Sequence, residues 1–110
     1  NFSLVTKDAR DDDELLEVGK INVVSTFNNN VSNGLRLPAT GGLTAGDIIS
    51  VKMKVAGLNN TKSIKIQGSG STPQKVSIDG ANSIQVQSEN AAFDLVYLGV
   101  IASSGSFIIA

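Results

Sequence analysis

A chain of 110 residues, 41% hydrophobic and 17% charged, has the size and composition of one folded domain with a single core. Its formal charge of -1 excludes a field that would gather nucleic acid or an anionic membrane surface. Histidine and cysteine are both absent, which removes the common general base, the Ser-His and Cys-His pairs, and nearly all zinc and redox-metal sites.

The first nineteen residues differ in composition from the rest. Asp11, Asp12, Asp13 and Glu14 precede Leu15, Leu16 and Val18, and Gly19 follows. Acid in a first turn, apolar residues next and a glycine stop predict a helix of about two turns, or else a solvated linker. The same carboxylates lack the spacing of a calcium loop, because Leu15 and Leu16 occupy the later positions. Leu4, Asp8, Asp11, Leu15 and Val18 fall at heptad-like spacing, the pattern of a fraying coiled-coil end. With Asn at position 1 and no signal-peptide layout, the chain reads as the end of something longer, its residues 1–19 closing a shaft or linker. No stretch approaches the roughly 18 consecutive apolar residues of a membrane span.

From Lys20 the period changes to two, and residues 20–110 read as one β domain. Ile21, Val23 and Ser25 alternate with Asn22, Val24 and Thr26 in a first strand that ends at Phe27 and the loop Asn28-Asn29-Asn30. Asn33-Gly34 is a turn dipeptide, and Leu35 to Leu37 is a short strand stopped by Pro38. Ala39 to Gly46 is a loop. In the strand Asp47 to Ala56, Ile49, Val51, Met53 and Val55 face a core while Ser50, Lys52 and Lys54 face water. Ile64 and Ile66 repeat the alternation before the loop Gly68 to Pro73. That loop is not a phosphate cradle: Pro73 replaces the third glycine of the dinucleotide pattern and no lysine follows in register. Strands at Val76-Ile78, Ile84-Val86, Phe93-Ile101 and Phe107-Ala110 follow, with Asp79-Gly80 in a tight turn. About eight short strands at roughly 8–12-residue spacing predict an all-β antiparallel β-sandwich or jelly roll.

The run Phe93 to Ile101 is apolar on both strand faces from Leu95 onward. It needs cover from a loop of the same chain or from a neighbouring copy. Asp47, Asp79, Glu89 and Asp94 are the carboxylates available for glycosidic hydrolysis, but Asp47 and Asp79 adjoin glycines in turn positions that account for them. The chain is therefore read as no enzyme. Aromatic residues for stacking on sugars are few. If a glycan binds, the contacts fall to polar loops: Asn28, Asn29, Asn30, Asn59, Asn60, Ser69, Ser71 and Thr72.

One resemblance runs from Leu35 to Ala110. Leu35-Arg36-Leu37-Pro38, the loop with Gly41-Gly42, and Gly46-Asp47 before a long alternating strand are followed by Ile64-Lys65-Ile66 and Ile78-Asp79-Gly80. Ser83-Ile84-Gln85-Val86, then Leu95-Val96-Tyr97-Leu98-Gly99, then the ending Phe107-Ile108-Ile109 complete the pattern. It resembles the small β-sandwich heads, or knobs, at the distal ends of bacteriophage tail fibres, tailspikes and tail needles. The resemblance implies a non-enzymatic homotrimer at the virion's tail tip, without cofactor, acting in host attachment or envelope penetration and in trimer clamping. Its partners are then further copies of itself and a host cell-surface component, a glycan among the candidates, with no nucleic acid. It also tips the cover for Phe93 to Ile101 toward a neighbouring copy, with Val96, Tyr97, Leu98 and Ile101 at the subunit interface. The alternative is a carbohydrate-binding module appended to a larger enzyme.

Overall fold

Strands begin earlier than the change of period suggests. The structure, a computed structural model, describes residues 3–29 and 33–110. Ser3–Asp8 (β1) and Glu14–Leu15 (β2) are strands, so the stretch expected to form a helix, a linker or a coiled-coil end belongs to the sheets. Backbone pairing decides it: Glu14 lies beside Leu35 and Leu15 beside Arg36, and Leu16 N donates to Arg36 O at 2.8 Å, with Leu16 buried and Leu15 47% exposed. The acidic run makes the bend between β1 and β2, with Asp12 at a left-handed φ of 56°.

The remaining strands are Lys20–Thr26 (β3), Asn33–Arg36 (β4), Ile48–Met53 (β5), Ile64–Gln67 (β6), Val76–Ile78 (β7), Ile84–Val86 (β8), Ala92–Ile101 (β9) and Ser104–Ile109 (β10). One sheet has six strands in the order β1-β3-β5-β9-β10-β7, the other four in the order β2-β4-β6-β8. The protein is all-β, with two sheets. Its pairing is mixed, which corrects the antiparallel expectation. β1 with β3, β3 with β5, β2 with β4, β4 with β6 and β7 with β10 are parallel, while β5–β9, β9–β10 and β6–β8 are antiparallel. From β1 to β6 each connection carries the chain across to the other sheet, so a strand meets its predecessor in its own sheet running the same way. This is the logic of stacked β-solenoid coils, with strands of the opposite sheet serving as the crossovers. The coils are unequal: Leu4 pairs with Ile21, and Ile21 with Ser50.

Two coil corners are closed by the same device. Asn22, fully buried in β3, reaches back five residues: its Oδ1 accepts from Glu17 N at 2.9 Å and its Nδ2 donates to Glu17 O at 3.0 Å. The same amide also donates to Ser50 O at 2.9 Å, tying the corner to β5. Asn33 in β4 repeats the reach, bonding the backbone N–H and C=O of Asn28. Asn33-Gly34 is thus a corner clamp at the start of a strand, not the turn expected of the dipeptide. Gly34 is required there because the Asp12 carboxylate lies where a Cβ would stand. Asp79-Gly80 forms its expected tight turn, with φ of 48° and 88° and mutual backbone bonds between Ile78 and Ala81.

The core lies between the sheets. Val24, Leu35, Met53, Ile64, Ile66 and Leu95 are fully buried, and Tyr97 and Phe107 pack with ring centroids 5.1 Å apart. The accessible surface, 5828 Å², matches the roughly 5,800 Å² of a folded monomer of 11.4 kDa. The radius of gyration, 13.0 Å, matches the roughly 13 Å of a compact chain of this length. The chain has a core of its own.

Candidate functional site: two unlike outer faces

Side chains of the six-stranded sheet alternate between core and exterior, and the exterior carries an apolar row beside polar residues such as Thr6, Ser50 and Lys52. Register places Leu4 beside Ile21, and Ile48, Val96 and Ile108 in one row across β5, β9 and β10. Leu4 is 70% exposed, Ile48 36% and Ile108 40%. Leu98, 41% exposed, extends the row because β9 carries one extra residue between the pairs Tyr97–Phe107 and Gly99–Ser106. Gly99 takes up that bulge with a φ of 94°. Ile101 stands beyond it at the hairpin end, 54% exposed. Charged strand residues on this face include Lys52, whose Nζ donates to Asn90 O at 3.0 Å, Asp94, opposite Ser50, and Asp8 at the end of β1, paired with Arg10.

The four residues expected at a subunit interface therefore divide. Val96, Leu98 and Ile101 lie on the outer face, whereas Tyr97 faces inward, 4% exposed, and belongs to the core. Alternation alone decides this: in β9 the inward set is Phe93, Leu95 and Tyr97, and the strand is not buried on both faces by its own chain. Ile48 and Ile108, which complete the apolar row with Val96, are not singled out by the sequence, nor is Leu4, whose own row runs through Ile21 to Ser50 and Asp94. Their signal was the unbroken aliphatic run in β10 and the outward register of Ile48.

The exterior of the four-stranded sheet is mostly polar, with Leu15 of β2 an exposed apolar exception. Lys65 and Gln67 of β6 and Gln85 of β8 point outward, and Ser63 Oγ lies 3.3 Å from Gln85 Oε1. No family model matches this chain, and no curated protein matches it. Function must be read from these faces.

The polar loops expected to touch a ligand do not converge. Asn29 packs against Gly57, close in sequence to Asn59 and Asn60, at the corner preceding β6. Ser69, Ser71 and Thr72 follow β6 at the opposite corner, where Ser69 and Ser71 line a groove with the Asp11–Asp13 bend and Arg36. Asn30 lies outside the described residues. Asn59 is occupied as a turn residue, its Oδ1 accepting from Thr61 N at 2.8 Å and Lys62 N at 3.1 Å.

Three of the four carboxylates considered for hydrolysis accept from backbone N–H groups, and among the described residues Asp94 does not. Asp47 Oδ2 accepts from Thr44 N at 2.8 Å, Asp79 Oδ1 from Ile109 N at 3.3 Å, and Glu89 from Gly57 N. In the amino-terminal coil, the Arg10 guanidinium holds the Asp8 carboxyl below its usual range, and Lys7, then Lys20, do the same for Glu17. Arg36 fastens the acidic bend to β4, donating through Nε to Asp12 O at 3.0 Å and pairing with Asp12 Oδ2 at 3.2 Å.

Proposed function

We propose that this chain is the non-enzymatic, homotrimeric tip of a phage tail needle or fibre, at the distal end of the virion, acting in attachment to or penetration of the host envelope. One observation carries the self-association in this reading: the outer face of the six-stranded sheet presents Leu4, Ile48, Leu98 and Ile108 uncovered. An antiparallel sheet with one face in water ordinarily sets polar residues outward, whereas across the antiparallel strands β5, β9 and β10 the outward row Ile48, Val96 and Ile108 is apolar. Further copies of the same chain supply cover for that row without a second partner. The resemblance of Leu35 to Ala110 to tail-tip heads supplies the setting. The dispersal of Asp47, Asp79 and Glu89 into backbone hydrogen bonds favours a binding role over hydrolysis.

Sedimentation equilibrium at tens of micromolar tests the reading. A species of three times 11.4 kDa is expected. A clean monomer overturns it and favours the alternative, a carbohydrate-binding module from a larger enzyme, to which the polar exterior of the smaller sheet is suited.

A further inference from the structure

The exterior of β6 holds a groove of about 310 Å³, lined by Lys65, Gln67, Pro73, Lys75, Asn82 and Ser83 with neighbouring residues, none of them acidic. Lys7, Arg10, Lys20 and Arg36 are each engaged by a carboxylate, whereas Lys65 and Lys75, like Lys52, Lys54 and Lys62, have no ion pair among the described residues, and here two such lysines share one lining. The side chains of Gln67, Asn82 and Ser83 also have no hydrogen-bond partner among the described residues, although each can both donate and accept. Pro73, exposed at the rim, offers a rigid apolar surface.

We propose that this groove binds an acidic glycan, a sugar chain bearing carboxylate, sulfate or phosphate. The two ammonium groups meet the anionic substituent, the amides and the hydroxyl meet sugar hydroxyls, and the Pro73 ring packs against the C–H face of a sugar. The net charge of -1 conceals the site because the charges are segregated: six of the ten acidic residues precede Lys20, while seven of the nine basic residues lie at Lys20 or later. Nucleic acid fits less well. Aromatic platforms for bases are missing from the lining, and two lysines are few for a polyphosphate backbone. The inference takes its setting, a cell surface rich in such sugars, from the attachment reading. Its chemistry comes from the groove.

Isothermal titration calorimetry of the whole chain with oligogalacturonate, dextran sulfate, neutral dextran and duplex DNA tests it. Binding of one or both acidic glycans and not of neutral dextran is expected, the two arms separating carboxylate from sulfate recognition. Lys65→Gln and Lys75→Gln should each weaken that binding about tenfold, as loss of a charge-assisted hydrogen bond does. Lys54→Gln, which removes an equal charge from another groove, should leave it unchanged. Absence of binding to either acidic glycan, an equal loss in Lys54→Gln, or tighter binding of DNA overturns the proposal. Sedimentation of the same samples separates the two readings: a trimer that ignores acidic glycans sinks only this inference, and a monomer that binds them sinks only the trimeric tip.

Discussion

Asn22 shows how much one polar side chain can hold in a fold of this kind. Its amide occupies a site with no access to water and makes bonds to Glu17, Lys20 and Ser50, so the corner, β3 and β5 share one anchor. Asn22→Ala strands the N–H and carbonyls it served, and denaturant unfolding should report a loss of about 3 kcal/mol. Asn22→Asp should fall short of rescue, because the carboxylate keeps the acceptor and loses the donor. Next to this anchor, Glu17 answers to pH. Its carboxyl is held below the ordinary glutamate value by Lys7 and then Lys20, so the folded state binds its proton less readily than the unfolded chain. The stabilisation is complete above the unfolded value, near 4.5, and is lost as pH falls through the lower folded value. Melting curves at pH 7 and pH 3 should therefore differ less in Glu17→Gln than in the parent, and an unchanged difference would remove Glu17 from the acid response.

At the scale of elements, β9 and β10 unite the core and the apolar face. Phe107 is 2% exposed and packs on Tyr97, so Phe107→Ala should cost about 3–5 kcal/mol in chemical unfolding; a loss below about 1 kcal/mol would place the ring at the surface. The inward set Ile49, Val51 and Met53, the pair Ile64 and Ile66, and the Asp79-Gly80 turn were all legible, because alternation and turn chemistry are local. Sheet direction was not. Period two is the same for parallel and antiparallel neighbours, and the partner of Ile21 is Leu4 on one side and Ser50 on the other, which no local signal names. The first coil was misread for a related reason: Asp11 to Glu14 satisfies the rules for a helix start, but the long-range pairings of β1 with β3 and β2 with β4 prevail over them. Composition singles out the polar loops, but composition cannot say that Asn59 spends its side chain on its own turn. Lys65 and Lys75 do not stand out in the sequence, because a net charge of -1 hides where lysines gather.

For the whole molecule, the matter is what covers the larger sheet. The chain's surface area equals that of a self-sufficient monomer of its mass, so an assembly would form from finished subunits and not by folding of one chain upon another. This separates two effects that an obligate oligomer merges. Leu98→Asp combined with Ile108→Asp places charge in the middle of the apolar row at positions 41% and 40% exposed, where a lone subunit tolerates it. In a closed interface the same carboxylates lie buried without partners, a severe cost. The double variant should therefore sediment as a monomer of 11.4 kDa and still unfold cooperatively, with a melting temperature independent of protein concentration. The parent's melting temperature should rise with concentration, as mass action requires of a subunit stabilised by its copies. If the double variant retained the parent's molecular mass, the contact would lie elsewhere, and the bare face of β5, β9 and β10 would have to be assigned to a partner other than itself.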